Sequence, residues 1–429
     1  MSIADIKVFN AKNILNILIS ILPISFIAGN LIINLNLILI VFLSFLFYWR
    51  EILNTKLLFF DKLIIIIFVY TIFTSVINTF EQIGGLETLT LNKTISFLRF
   101  LFFYFAMRFL IEKNIFNLKF FFISATLCSI FVSLDLIYQF INGEDIFGYS
   151  SSLSINSGKM SGPFGEEQIA GSYLQRFSIF SFFLISVYLL NLNHKKKIII
   201  YISLLILFFS SMLLAGNRMP IILFIMFWSF LFILEDRIRK YGIIFFIAII
   251  ILSYLFFQFN NEINNYIEGF ANLTMQIVNF LPNLASEQKI TQFPNIYIKE
   301  FYSGYNSWLE NFFIGGGINS FHFNCIKTIH ACATHPHNYY LEILSELGLI
   351  GMILWFIVFL YLFYITIVKK YILRTAFKNN HIITPFALLF LVEIFPIKST
   401  GSFFTTGNAT FIFFIISAII ALSRKSQYK

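Results

Sequence analysis

Long apolar runs separated by short polar breaks dominate this chain. Runs of roughly 17 to 25 residues, the length a helix needs to cross a bilayer core, recur at about 12–29, 31–48, 61–79, 95–112, 118–141, 170–192, 198–215, 219–234, 242–258, 348–368, 382–396 and 409–423. They predict an all-α, polytopic bundle of about twelve membrane-spanning helices. The run at 382–396 is short and ends at Pro396, which predicts a tilted, kinked or partly re-entrant segment. No small-residue cleavage site follows the first run, so it reads as a retained helix and not a signal peptide.

Two polar intervals are much longer than the rest. Asn142 to Gln168 is rich in Ser and Gly and ends Ser161-Gly162-Pro163-Phe164-Gly165-Glu166-Glu167-Gln168, an ordered turn leading into the sixth helix. Asn260 to Pro336 is long enough for a small external subdomain of short helices. Within it, Tyr305 to Phe313 has the pattern of a short amphipathic helix, stopped by Gly315-Gly316-Gly317. The expected division is therefore 1–259 for helices one to nine, 260–347 for the loop, and 348–429 for helices ten to twelve.

Composition agrees. Hydrophobic residues make up 58% of the chain and charged residues only 12%, which excludes a water-soluble globule. The 59 phenylalanines read as lipid-facing fill. The net charge of +9 would suggest a nucleic-acid partner in a soluble protein, but here the basic residues sit in short loops between apolar runs. That is a topology signal, and the nucleic-acid reading is discarded.

Alternate loops carry Lys7, Lys12; Arg50, Lys56, Lys62; Lys113, Lys119; Lys195, Lys196, Lys197; Arg237, Arg239, Lys240; Lys369, Lys370, Arg374, Lys378; and Arg424, Lys425, Lys429, which is twenty of the 30 basic residues. The opposite loops hold Lys93, Lys159, Arg218, Lys289, Lys299, Lys327 and Lys398, although they include both long intervals. Both termini are expected in the cytoplasm and both long intervals outside. Cys325 and Cys332 lie in the second interval, where a disulfide would stiffen the approach to His337, whereas Cys128 falls inside the fifth helix. The rival use, a metal site with His330, His335 and His337, lacks an established zinc spacing, so no metal is expected.

Polar groups inside the apolar runs each cost ~2.5–3.5 kcal/mol at mid-bilayer. They include Arg99, Asp135, Arg176 and Glu393. Internal ion pairs that hold the bundle are the favoured use for Arg99 and Asp135; Arg176 is equally a candidate ligand for an anion. Ala215-Gly216-Asn217-Arg218-Met219-Pro220 predicts a very tight turn, with Asn217 as a cap and Pro220 in the first turn of the next helix. Arg218 then stands at a helix N-terminus, a plausible phosphate seat, although an arginine there also suits lipid headgroups.

Polar and reactive residues crowd most densely in Thr334-His335-Pro336-His337-Asn338, which opens into an apolar run. A helix starting just after Pro336 puts Asn338, Glu342 and Glu346 on one face at i, i+4 and i+8, lining a cleft. His337-Asn338, then nine residues, then Gly348-x-x-Gly351 resembles the H-[N/S/Q]-x9-G-x-x-G signature of the O-antigen ligase and polymerase family of bacterial envelope glycosyltransferases. The large loop before the motif, the Gly-x-Arg turn and the Gly162-to-Glu166 segment leading to Arg176 are also similar to that family.

The resemblance implies transfer of a glycan from undecaprenyl diphosphate to a hydroxyl acceptor on the periplasmic face of the inner membrane, without metal, nucleotide or other cofactor. The acceptor is lipid A–core for a ligase and a second lipid-linked repeat unit for a polymerase. His337 is the candidate general base. Asn338, Glu342 or Glu346 would orient it or the acceptor. Arg218, Arg176 and, as a third candidate, Lys398 would bind the diphosphate. His335 is the alternative base, though only His337 fits the spacing. Gly348 and Gly351 would allow close helix packing. The rival class is a flippase or transporter for lipid-linked glycans, which should carry mid-membrane polar residues and internal repeats; no clear repeat is visible.

The topology is checked by reporter fusion. Alkaline phosphatase joined near Ser307 is expected to be active and near Lys196 inactive; the reverse pattern would put the histidines in the cytoplasm.

Overall fold

The computed structural model describes residues 3–81, 87–150, 159–189, 192–235, 245–252, 254, 272, 275, 296–328, 333–374, 381–396, 398 and 401–425. Among these residues the chain is helical with no strand, apart from an isolated antiparallel bridge between Glu144 and Ser150. In chain order the helices are α1 (Ile3–Ser20), α2 (Leu22–Ala28), α3 (Asn30–Leu53), α4 (Phe59–Glu81), α5 (Glu87–Phe97), α6 (Arg99–Glu112) and α7 (Leu118–Asn142). Then come α8 (Ala170–Phe177), α9 (Ile179–Phe183), α10 (His194–Leu214), α11 (Arg218–Leu234), α12 (Ile296–Glu310), α13 (Phe321–Thr328), α14 (Tyr339–Phe363), α15 (Ile383–Glu393) and α16 (Thr406–Lys425).

Seven helical stretches among the described residues are long and apolar enough to cross a membrane, and an eighth results if α1 and α2 form one broken span. The protein is a multi-pass helical membrane protein. The two halves of the first expected span meet at 48°, and Pro23, in the first turn of α2, supplies the cause. It has no N–H to give Ile19, and its ring crowds that carbonyl. The expected run at 170–192 is divided among α8, α9 and a π-helical turn, Leu184–Tyr188. The expected runs at 219–234 and 382–396 are short apolar helices, α11 and α15. Of the run at 242–258, residues 245–252 are helical.

The chain divides into two compact units, Met1–Ile40 with Leu110–Ala271 and Phe377–Val392, and Val41–Phe109 with Asn272–Ala376 and Glu393–Lys429. In the first unit α7 is the central helix, touched by α1, α2, α8, α9 and α10. Its ends are set locally: Asn117 accepts from the Lys119 amide at 3.0 Å, and Gly143, at φ 83°, returns its N–H to Gln139. Phe121, Phe177, Phe180 and Phe386 form an aromatic core there, with Phe121 and Phe180 edge-to-face at 4.9 Å.

The expectation that phenylalanine only fills lipid-facing positions is therefore corrected. Phe121, Phe122, Phe177, Phe180 and Phe208 in the first unit, and Phe60, Phe68, Phe100 and Phe103 in the second, are almost fully buried. Between helices already in lipid, association gains little from the hydrophobic effect. Offset and edge-to-face ring pairs, at about 0.5–1.5 kcal/mol each, then carry more of the packing.

The second unit is held by a buried ion pair that hydropathy hid. Asp61, in the first turn of α4, pairs with Arg108 of α6, and both are buried. Asp61 also accepts from the Tyr104 hydroxyl at 2.6 Å and the Leu58 amide at 2.5 Å, while Arg108 donates to the Lys56 carbonyl at 3.2 Å. Arg99 donates to the Ser96 carbonyl and to Thr406 and lies over the Phe100 ring, and Asp135, in the first unit, accepts from the Ile146 amide.

Gly348 breaks α14, with φ 65° and ψ −170°. The strand of chain after α12 runs into the break. The amides of Leu349 and Ile350 donate to the carbonyls of Phe312 and Phe313, while Gly316 and Gly317 donate back to the carbonyls of Ser345 and Glu346. Tyr70 of α4 donates to the Leu347 carbonyl at 2.9 Å, and Asn78 donates to the Gly315 carbonyl at 3.0 Å. A Cβ on Gly348 would stand 2.4 Å from the Phe313 oxygen, and one on Gly315 would stand 2.4 Å from the Gly348 nitrogen. Gly348 thus permits close approach of a loop backbone rather than of another helix. Gly351 faces the Tyr70 ring, where a Cβ would lie 3.2 Å away.

Gly348→Ala must adopt backbone angles reserved almost wholly for glycine, at about 1–3 kcal/mol, and must also displace residues 312–315. A clear drop in melting temperature of the detergent-purified protein is expected; an unchanged value would mean the break tolerates a side chain.

Candidate functional site

The turn before α14 is built around an uncommon backbone. His337 has φ 52°, a left-handed conformation that a non-glycine residue keeps only when its neighbours hold it. On its C-terminal side Asn338 caps α14, accepting from the amides of Tyr340 at 3.0 Å and Leu341 at 3.2 Å and donating to the Pro396 carbonyl at 2.7 Å. On its N-terminal side Pro336 lies against α12 where Gly304 leaves room; a Cβ on Gly304 would meet Pro336 at 2.8 Å.

That packing brings Glu300 to His337. Glu300, Ser303, Gly304 and Ser307 lie at i, i+3, i+4 and i+7 on one face of α12, and the first, second and fourth are buried. Glu300 Oε2 is 3.6 Å from His337 Nε2, with the carboxylate 11% and the imidazole 30% exposed. Burial pushes the Glu300 carboxyl up from its ordinary range, and the nearby His337 opposes that shift. His335 lies beside the His337 ring, centroids 4.2 Å apart and planes tilted by 53°, with its Nδ1 3.0 Å from the Thr334 hydroxyl.

The first turns of α14 are stitched to residues 393–403. Glu393, at the end of α15, pairs with Lys398 at 2.6 Å and accepts from the Tyr339 hydroxyl at 3.0 Å, while Lys398 Nζ lies 5.1 Å over the Tyr339 ring. Tyr340 donates to the Ile394 carbonyl. Glu342 accepts from the Phe403 amide at 2.6 Å and from Ser402. Glu346, one turn on, accepts from the amides of Asn319 and Phe321. Both glutamates are buried at 2% exposure, so they fix surrounding loops instead of lining an open cleft.

The predicted cations Arg176 and Arg218 belong to the first unit. Arg176 is buried in the last turn of α8, and Arg218 is the first residue of α11, which packs on α8. The expected side-chain cap at Asn217 is not formed. Its amide instead donates to the Gln168 carbonyl at 3.2 Å, and it sits against Gly171 of α8, where a Cβ would be 2.9 Å away. The tight turn is therefore anchored on α8 and by the Met160 amide on the Ala215 carbonyl. Cys325 is disulfide-bonded and Cys128 is free and buried; Cys332 lies outside the described residues.

The structure thus joins His337 to His335 and to Glu300, a partner that sequence reasoning missed. The available signal was the small and acidic stripe at 300, 303, 304 and 307, obscured because the amphipathic helix was expected to begin at Tyr305, whereas α12 starts at Ile296. Among the described residues no group of three or more His, Cys, Asp or Glu side chains is arranged to hold a metal.

These features define a multi-pass helical membrane protein with a histidine turn on a broken helix. Residues 202–356, which include Arg218, Glu300, His337 and both motif glycines, match the model of the O-antigen ligase family. The match supports the resemblance read from the His-Asn and Gly-x-x-Gly spacing, and with it a membrane glycosyltransferase of the O-antigen ligase or polymerase type. No curated protein matches the chain.

Asn338→Ala removes a cap, at about 0.5–2 kcal/mol, and the tie to Pro396. It is expected to lower the melting temperature. Asn338→Asp keeps the capping oxygen and should lose less; equal losses would show that the tie to Pro396, not the cap, sets the stability.

Proposed function

We propose that this protein moves a glycan from undecaprenyl diphosphate to a hydroxyl of lipid A–core at the periplasmic face of the bacterial inner membrane, in an O-antigen ligase reaction without metal or nucleotide. The observation that carries the reading is the His337 turn, held in a left-handed conformation at the start of α14 inside the region that matches the family. A histidine has an unperturbed pKa near neutrality and can accept the proton of an attacking sugar hydroxyl. Asn338, Glu342 and Glu346 act on this reaction by fixing the helix start and the loops around it, since their polar atoms bind backbone groups. Lys398, paired with Glu393, supports the same segment.

Arg218 and Arg176 are proposed as the groups that bind the donor diphosphate and stabilise the charge that grows as the C1–O bond breaks. Arg218 stands where the first amides of α11 and its helix dipole already favour an anion. A planar guanidinium adds a bidentate fork.

If His337 takes a proton only as the acceptor attacks, His337→Ala should lower turnover by roughly 10²–10⁴ with donor affinity nearly unchanged. Arg218→Ala should weaken donor binding as well as turnover, and Arg218→Lys should rescue only in part. Purified, folded variants assayed with an undecaprenyl-diphosphate glycan and its acceptor decide this. Full activity of the histidine variant, or unchanged donor affinity of the arginine variant, removes that residue. The acceptor is tested in a deletion strain. Loss of all long chains on lipid A with lipid-linked polymer accumulating supports the ligase, whereas a single surviving repeat on lipid A would make the protein a polymerase.

A further inference from the structure

We infer that Glu300 is the positioning residue of His337: its carboxylate holds the Nε2–H side of the imidazole, so that Nδ1 is the atom that takes the acceptor's proton. The inference rests on the base reading above and adds the partner and the atom. The geometry that carries it is local to the second unit. Glu300 projects from α12 on the face that Gly304 presses against Pro336, and its Oε2 lies 3.6 Å from Nε2. That separation is too long for a formed hydrogen bond but suits an electrostatic contact that tightens when substrate is bound.

A carboxylate behind a histidine is costly unless the pair has a use, because the buried anion must be matched. Here the match comes from the ring itself. The ionised forms of Glu300 and His337 favour each other, and burial alone would drive the carboxyl toward its neutral form. Among the described residues near the turn, His335 lies tilted beside the ring, Glu342 binds the Phe403 amide, and Lys398 is paired with Glu393. Glu300 is thus the anionic side chain within reach of the imidazole from α12.

In the proposed step the acceptor oxygen forms its bond to the sugar C1 as the C1–O bond to the diphosphate breaks. The bonding pair leaves with the undecaprenyl diphosphate, and the acceptor's proton moves to Nδ1. The resulting imidazolium carries N–H on both nitrogens, and Glu300 faces the Nε2–H with its negative charge. The proton is later lost to water, which the partly exposed ring can reach.

The test uses the full chain in nanodiscs, with an undecaprenyl-diphosphate glycan and lipid A–core as substrates. Glu300→Gln is expected to lower kcat roughly tenfold to a hundredfold, a part of what a general base contributes, with little change in the KM for donor. Glu300→Asp, which keeps the charge, should fall between. A fall in kcat that is as large in Glu300→Asp as in Glu300→Gln would overturn the proposal and leave Glu300 a packing residue.

Nitrogen NMR of histidine-labelled wild-type protein supplies a measurement that needs no folded Glu300 variant. With His337→Gln used for assignment, the neutral ring is expected as the Nε2–H tautomer; the Nδ1–H tautomer would overturn the inference. Full turnover in His337→Ala would sink the base reading and the catalytic role of Glu300 with it, whereas the tautomer would still report whether the two side chains pair.

Discussion

A break in a helix leaves backbone amides and carbonyls without their helical partners, and a buried one left unpaired costs about as much as a lost hydrogen bond. At Gly348 the backbone of α14 leaves helical geometry. Residues 312–317 supply partners there: the Phe312 and Phe313 carbonyls take the amides of Leu349 and Ile350, and the Gly316 and Gly317 amides serve the carbonyls of Ser345 and Glu346. The Tyr70 hydroxyl takes the Leu347 carbonyl. The break therefore exists only because this loop fills it, and the loop has this path only because Gly315 and Gly348 lack side chains.

The histidine turn depends on that arrangement. The break separates residues 339–347 from the apolar remainder of α14, and α12 is tied to the short segment through the loop that follows it. The face bearing Glu300 and Gly304 is thereby set against Pro336 and His337. From the other direction, residues 393–403 bind Asn338, Tyr339, Tyr340 and Glu342. Polar groups that would be expensive alone are used in pairs, as Lys398 with Glu393 and, elsewhere in the same unit, Arg108 with Asp61. Removing one member of such a pair strands the other as a buried charge, typically at about 3–5 kcal/mol.

Helix positions were legible in the sequence because apolar length is a strong signal, and the helices from α3 to α7 lie close to the expected runs. What hydropathy does not carry is how a run is broken. The division of the run at 170–192 into α8, α9 and a π-helical turn, and the loop insertion at Gly348, follow from backbone pairing with distant segments. In the site, His337 and the spacing to Gly348 were legible, since they form a short linear motif. Glu300 was not, because its relation to His337 passes through the contact of Gly304 with Pro336. Asn217 was misread for a similar reason: an asparagine before a helix suits a cap, yet Gln168 offered its amide a tertiary partner. Asp61 was hidden beside Lys62, where a charge looks like part of a loop until Arg108 is placed on it.

The distribution of charge also bears on the choice between chemistry and carriage. A carrier for a lipid-linked glycan needs polar groups that exchange partners as it alternates between states. In the second unit the buried charges are instead tied to local partners: Asp61 also binds a tyrosine and a backbone amide, Glu342 binds the amide of Phe403, and Glu393 binds both Lys398 and Tyr339. Rearranging any of them would strand a charge in low dielectric. His337 differs, being partly exposed, backed by a carboxylate and fixed by a capped helix start. A surround tied by such contacts, with an accessible titratable ring, suits a proton transfer performed at a fixed point, since such a step gains from groups that do not have to reorganise as charge develops.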